Sequence, residues 1–285
     1  MKKDESINLI IHTEEWDPNG FLLPEKHMIR KIYSWSGAAE SAAGEISGSA
    51  CERVMIVTCS DQGIEASQKM HLPVIAVRNP RYDRERGEQS LFGAPLLLEQ
   101  TADLEDGLLE NVWRRYYGIP LEIGQTLRCR IREISEADIP FLYEISGGLI
   151  NEGGTTAFFL ERGEYAAFWK AYIRDQYAFF GYGLWLIERK TTEKKNGAVG
   201  IAGFTEVGEM GYWIFPEFRR KGYAEEVCRF LLEYAATALG WNMISLFIQK
   251  ENLPSLSLAK RLGFHPDAEY ERDGRTVQKW IRRTG

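Results

Sequence analysis

Long apolar runs are absent from this 285-residue sequence, and nothing approaches the roughly 20 residues that a membrane-crossing helix needs. The opening MKKDESINLIIHTEEWD carries two lysines but neither an adequate apolar stretch nor a small-residue cleavage site, so no secretory signal is expected. Cysteine is sparse. Cys51, Cys59, Cys129 and Cys228 show no CxxC or zinc-like spacing and are expected as free thiols in a reducing cytoplasm. The four histidines are not paired at ligand spacing, so no metal site is expected. A basic excess is also lacking. Residues 1–124 carry 13 Lys and Arg against 20 Asp and Glu, and residues 125–285 carry 22 against 21, which argues against a nucleic-acid partner. What is present is 44% hydrophobic and 27% charged residues, the balance of a soluble globular chain with ample core. With the missing signal, scattered thiols and lack of long apolar runs, a cytoplasmic location and no membrane partner are expected. The length suits one large domain or two ordinary ones.

Three runs in the first part are nearly continuous in apolar residues: INLIIHT (7–13), VMIVTCS (54–60) and VIAV (74–77). Such runs suit strands covered on both faces, as in a parallel sheet. DQGIEASQKMH between the last two reads as a short helix ending before Pro73, which makes a strand–helix–strand unit of the doubly wound kind. SGAAESAAGEISGSA (36–50) reads as irregular or weakly helical, and RNPRYDRERGEQS (78–90) as a charged loop. DLEDGLLENVWRRYYG (103–118) sets Leu104, Leu108, Leu109, Val112, Trp113 and Tyr116 on one helical face. Gly and Pro interrupt the pattern in GIPLEIGQT (118–126), where a boundary is drawn between a domain of residues 1–124 and one of residues 125–285.

The second part reads as an α+β domain with a mostly antiparallel sheet. LRCRIREIS (127–135) alternates as a strand, and SEADIPFLYEIS opens a helix with a capping-box-like Ser135 and Asp138. A helix is expected over 163–180. GLWLIERK and AVGIAGFTEV flank the polar TTEKKNG, a hairpin signal. EMGYWIF is a strand, and residues 223–240 an amphipathic helix with Gly240 at its C-cap. MISLFIQ is a strand, LPSLSLAKRLGF a short helix, and AEYERDGRTVQKWI a hairpin turning at Asp273-Gly274.

PEFRRKGYAEE (216–226) crowds three cations between a strand and a helix. A helix N-terminus presents unpaired N–H groups and about half a positive charge, so it attracts phosphate. Gly222 lets a ligand approach the backbone, and the small Ala224 keeps the first turn clear. Arg219, Arg220 and Lys221 can add contacts. The GxxxxGK[ST] pattern is absent, so this is not a Walker loop. A pyrophosphate cradle and a solvated turn both fit these residues.

Arg219-x-x-Gly222-x-Ala224 is followed, twenty-eight residues later, by Asn252-x-x-Ser255 and then Leu262-Gly263-Phe264. In this order and spacing the chain from about residue 126 to its end resembles the GNAT superfamily of N-acetyltransferases. EMGYWIFPEF resembles the E-x-G-Y strand of the branch that acetylates ribosomal-protein N termini. The resemblance implies an acyltransferase fold with a mixed, mostly antiparallel sheet, acetyl-CoA as cosubstrate and no metal. It also implies donor contacts at Ile214, Phe215, Arg219, Arg220, Lys221, Gly222, Tyr223, Ala224, Asn252 and Ser255. The implied acceptor is a small-molecule or peptide amine; a homodimer stays open.

The implied chemistry needs a neutral amine. A lysine-like amine of pKa ~10.4 is neutral about once in 10³ molecules at pH 7, so a general base helps it most. Glu209, at the start of the EMGYWIF strand, is the first candidate for that base, directly or through water. It reads equally as a solvated strand end or an orienting group. Backbone N–H groups from Tyr212 to Phe215 are placed by the resemblance to stabilise the developing oxyanion. The position of the family's acid tyrosine is matched here by Ala259, a departure. Ser255 is left to hydrogen-bond the sulfur, or to act as a simple helix N-cap. The aromatics of YIRDQYAFFGYGLW (172–185) either line the acceptor side or form core.

VMIVTCSDQGIEASQKMHLPVIAV is similar to the late segment of a haloacid-dehalogenase-like domain. Cys59-Ser60 replaces the Asp-Ser of that family, Gly63 stands where an acidic residue is common, and LIIHTEEWDPNG supplies no D-x-D-x-[TV] nucleophile motif. The resemblance therefore implies a Rossmann-like, degenerate domain without the carboxylates a magnesium phosphatase needs. Two functions stay open: an N-acetyltransferase, and a non-catalytic CoA-binding or interaction protein made of two degenerate domains.

Overall fold

The computed structural model describes residues 7–12, 29–35, 53–151, 162–190, 197–272 and 275–284. The chain divides into two compact units, Met1–Ile119 and Pro120–Gly285. No helix among the described residues is long and apolar enough to cross a membrane.

In the first unit, β1 (Ile7–His12), β2 (Ile29–Trp35), β3 (Arg53–Thr58), β4 (Val74–Val77) and β5 (Leu97–Leu98) form one parallel sheet in the order β2-β1-β3-β4-β5. That order is doubly wound. All of β4 and nearly all of β3 are buried, as apolar runs covered on both faces must be. The connecting helix α1 (Asp61–Met70) is capped by Ser60, whose Oγ accepts the Gly63 N–H at 3.0 Å. Residues 78–90, expected as a loop, contain a helix α2 (Pro80–Arg86). The start signals were local. Asn79 Oδ1 accepts from the Arg81 and Tyr82 N–H groups, and Pro80 stands in the first turn, where its missing N–H is harmless. In α3 (Asp106–Tyr116), Leu109 and Val112 are buried. Tyr116 is not on the buried face: it is 45% exposed and meets Tyr117 edge-on at 5.0 Å. The expectation for 36–50 lies outside the described residues.

The second unit opens with β6 (Glu122–Gln125), inside the segment expected to interrupt the pattern. It pairs antiparallel with β7 (Cys129–Glu133). Gly124 there is a packing residue: a Cβ would stand 2.6 Å from the Phe230 ring. The sheet continues antiparallel through β8 (Leu184–Arg189), β9 (Ala198–Phe204) and β10 (Met210–Ile214). A second sheet holds β11 (Met243–Gln249), β12 (His265–Arg272) and β13 (Arg275–Arg283) in the order β11-β13-β12. The Asp273-Gly274 turn and residues 191–196 lie outside the described residues, but β12 with β13 and β8 with β9 pair as hairpins require.

Helices cover both faces of the first of these sheets. On one side α6 (Tyr223–Thr237) and α7 (Leu253–Arg261) bring Val227, Cys228, Leu231 and Leu258 against Trp185, Val199 and Phe204. On the other, α4 (Ile139–Asn151) and α5 (Arg162–Phe180) bring Leu142, Tyr165 and Trp169 against Leu186, Ile201 and Phe215. Covered twice, β9 is buried at every residue. The 172–185 aromatics are mainly core. The Tyr172 hydroxyl accepts the Leu184 N–H at 2.7 Å, the Tyr177 hydroxyl accepts the Ile134 N–H at 3.0 Å, and Trp185 is fully buried. Phe179 is the exception, at 82% exposed. The Ser135–Asp138 capping box forms as expected.

Candidate active site

Strands β10 and β11 touch through a single parallel bridge, Glu209 to Ser245, and belong to different sheets thereafter. Glu209 is half-buried at this point of contact. The turn that carries it is closed by the Thr205 N–H donating to the Glu209 carbonyl at 2.9 Å and the Glu209 N–H donating to Thr205 Oγ1 at 3.2 Å. The Phe215 N–H bonds the Val199 carbonyl, so odd residues of β10 address β9. Strand alternation turns the N–H and C=O groups of Tyr212 and Ile214 the other way, into the gap beside β11. Arg219 Nε, 2.9 Å from the Ile214 carbonyl, takes one of these outward groups. At about 3.4 Å per residue, Glu209 and Phe215 are roughly 20 Å apart. That separation suits a donor whose reactive end and phosphates are joined by a long flexible arm.

Beyond β10 a 3₁₀ turn (Pro216–Phe218) leads to the cationic loop and α6. Arg220 has φ 57° and Gly222 φ 82°, both left-handed. Gly222 is the N-cap of α6 and offers no capping side chain, so among the described residues no cap side chain meets the first-turn N–H groups of Tyr223, Ala224 and Glu225. The cations are not three equal phosphate hooks. Arg219 holds the Ile214 carbonyl, Lys221 Nζ donates to the Glu217 carbonyl at 2.8 Å, and Arg220 is exposed.

A fourth cation, not singled out in the sequence, borders this loop. Arg128 donates from Nε to Glu226 Oε2 at 2.6 Å and from Nη1 to the Lys221 carbonyl at 2.8 Å, and its guanidinium lies 4.3 Å over the Tyr223 ring. Burial alone would raise the Glu226 carboxyl. Hydrogen bonds from the Thr126 hydroxyl, the Arg128 N–H and the Arg128 side chain outweigh it and hold the carboxyl below its ordinary value.

At the start of α7, Asn252 is the N-cap: its Oδ1 accepts the Ser255 N–H at 3.2 Å. The capping role open to Ser255 is therefore filled by Asn252, and the serine hydroxyl is not used for it. The Tyr212 hydroxyl is buried without a full hydrogen-bond partner, with Ser255 the group positioned to bond it. Burial pushes the Tyr212 phenol well above its ordinary range, so it stays neutral. Ala259 is fully buried in the same core. Among the described residues no group of three or more His, Cys, Asp or Glu is placed to hold a metal ion.

Residues 128–265 match the family model of the acetyltransferase (GNAT) domain. The chain is 33% identical over 86 residues to the uncharacterized N-acetyltransferase YoaA of Bacillus subtilis, covering 29% of this chain and 49% of that protein. It is 25% identical over 162 residues to the uncharacterized N-acetyltransferase YnaD of the same organism, covering 52% and 85%. A third B. subtilis protein, YdaF, named as a candidate ribosomal N-acetyltransferase, is 36% identical over 66 residues, 23% of this chain and 36% of that one. An acetyltransferase crystal structure from Agrobacterium tumefaciens is 20% identical, covers 57% of this chain and 93% of that chain, and has a TM-score of 0.46.

Proposed function

We propose that this protein is an acetyl-CoA-dependent N-acetyltransferase, a reading supported by the match of residues 128–265 to the acetyltransferase (GNAT) domain model. It moves an acetyl group to a primary amine by direct attack on the thioester in a ternary complex. The observation that carries the reading is the gap between β10 and β11 that leads to a left-handed glycine at the N-terminus of α6. The residues there fit the donor. A Cβ on Gly222 would come 3.3 Å from Arg128 Nη2, and its φ of 82° disfavours any L side chain there. First-turn N–H groups that no described cap side chain meets suit a pyrophosphate.

Acetyl-CoA, when bound, supplies an acetyl group already activated as a thioester. The N–H groups of Tyr212 and Ile214 face the gap and are the backbone donors for charge developing on a carbonyl oxygen there. Glu209 takes the proton from the amine, directly or through water. Ser255 and the neutral Tyr212 phenol are neighbouring hydroxyls on the α7 side, where the sulfur would leave. The E-x-G-Y strand and the likeness to YdaF favour the branch that acetylates protein N termini, and hence a peptide amine. An α-amine near pKa ~8 is also the easier one to deprotonate.

The first unit is read as a degenerate haloacid-dehalogenase-like domain without catalysis. Its doubly wound order supports this.

Glu209→Gln is expected to lower kcat about 100-fold while acetyl-CoA affinity stays unchanged, with the rate recovering as pH rises and the acceptor deprotonates unaided. Steady-state kinetics against an amine panel, with calorimetry for the donor, measure both. An unchanged kcat would remove Glu209 from the base role. A wild type that binds acetyl-CoA but turns over no amine would return the non-catalytic reading.

A further inference from the structure

We propose that Arg128 is a phosphate-binding residue of the donor site, a guanidinium fixed in advance at the edge of the Gly222 cradle; this rests on the acetyl-CoA reading above. Arg128 lies just before β7, some 90 residues away from the loop it borders, and belongs to no part of the R-x-x-G-x-A pattern.

Its guanidinium is held on two of its three nitrogens. Nε is committed to Glu226 and Nη1 to the Lys221 carbonyl. The backbone N–H of Arg128 also donates to Glu226, at 2.7 Å, and the Thr126 hydroxyl donates to the same oxygen at 2.6 Å. The third nitrogen, Nη2, makes no hydrogen bond to a described residue. It is also the atom that a Cβ on Gly222 would approach at 3.3 Å, so it borders the volume the glycine keeps open. A planar fork with two teeth fixed loses little further freedom when the third binds an oxyanion. Such charge-assisted contacts are about twice as strong as neutral ones.

The anchoring serves the same end through Glu226. A carboxylate in the first turn of α6 would repel an anion at that helix end. Here it receives donors from Arg128 and Thr126, and its charge is met by the guanidinium. Removing Arg128 therefore takes away a phosphate donor and uncovers a negative charge beside the cradle. Arg219 and Lys221 are each tied to a backbone carbonyl, so neither is placed to take over the contact of Arg128 with Glu226.

The test compares two donors in steady-state kinetics: acetyl-CoA, and S-acetylpantetheine, which keeps the thioester and arm but has no phosphate. Arg128→Gln is expected to raise KM for acetyl-CoA about 10- to 100-fold with little change in kcat. It should cost far less in kcat/KM with S-acetylpantetheine. Arg128→Lys, which keeps the charge but not the fork, should fall between wild type and Gln, and carries the same comparison if the Gln variant does not fold. Equal losses with both donors would mean a purely structural clamp and overturn the proposal, as would no loss with acetyl-CoA. A wild type that neither binds nor uses acetyl-CoA is seen before any variant is made, and takes the underlying reading down with it.

Discussion

Gly222→Glu is expected to weaken acetyl-CoA binding about a thousandfold, or on the order of 4 kcal/mol, in calorimetry beside the wild type. Three effects add. Gly222 sits at φ 82°, where an L-residue costs about 1–2 kcal/mol. The new side chain occupies the space beside Arg128 Nη2 that the ligand needs. Its carboxylate then repels phosphate and competes for the guanidinium. Gly222→Ala carries the strain and little of the rest, and should lose only about tenfold. Melting curves tell a lost site from a lost fold, because α6 also anchors the core through Val227, Leu231 and Ala235. A glutamate variant that binds as the wild type does would make the cationic loop an ordinary turn.

Arg132→Met is expected to cost about 3–5 kcal/mol of stability near neutral pH. Arg132 is nearly enclosed between two carboxylates. It donates to both oxygens of Asp138 at 2.7 and 2.8 Å, and from Nε to Glu188 at 2.8 Å. The side chains of all three are 13–16% exposed. Burial would raise the Asp138 and Glu188 carboxyls, but bonds from Arg132, with Ser135 on Asp138 and Arg130 on Glu188, outweigh it, and both are held below their ordinary values. A depressed folded pKa contributes stability that is present above the unfolded pKa and lost as pH falls through the folded one. The wild type should therefore weaken on the acid side, below about pH 4. In Arg132→Met the Asp138 carboxylate keeps its burial without its cation and Glu188 is left with Arg130 alone, so both protonate more readily. The stability gap should be widest near pH 7 and narrow toward pH 4. Denaturant unfolding at both pH values measures it. A gap independent of pH would mean that packing, not charge, holds this corner.

Much of this protein was legible locally. The runs VMIVTCS and VIAV announce strands covered on both faces, and the residues of RRKGYA announce a glycine-led helix start after a strand. These depend on backbone geometry and on periods of two and 3.6 residues, which neighbours in the chain decide. Even the overlooked α2 was written locally, in Asn79-Pro80, and was hidden only by the charge around it. The linear pattern left other questions open. That Asn252, not Ser255, caps α7 follows from how the chain enters the helix. Gly124 looked like a breaker because Phe230, which requires it, is over a hundred positions away. The Tyr212 hydroxyl meets Ser255, and Arg128 meets Glu226 and the Lys221 carbonyl, only when the sheet and its covering helices close. Hydrogen-bond propensity and hydrophobic period act over a few residues and so appear in the sequence. Which side chains share a gap is decided by the packing of distant segments, and that exists only in the folded chain.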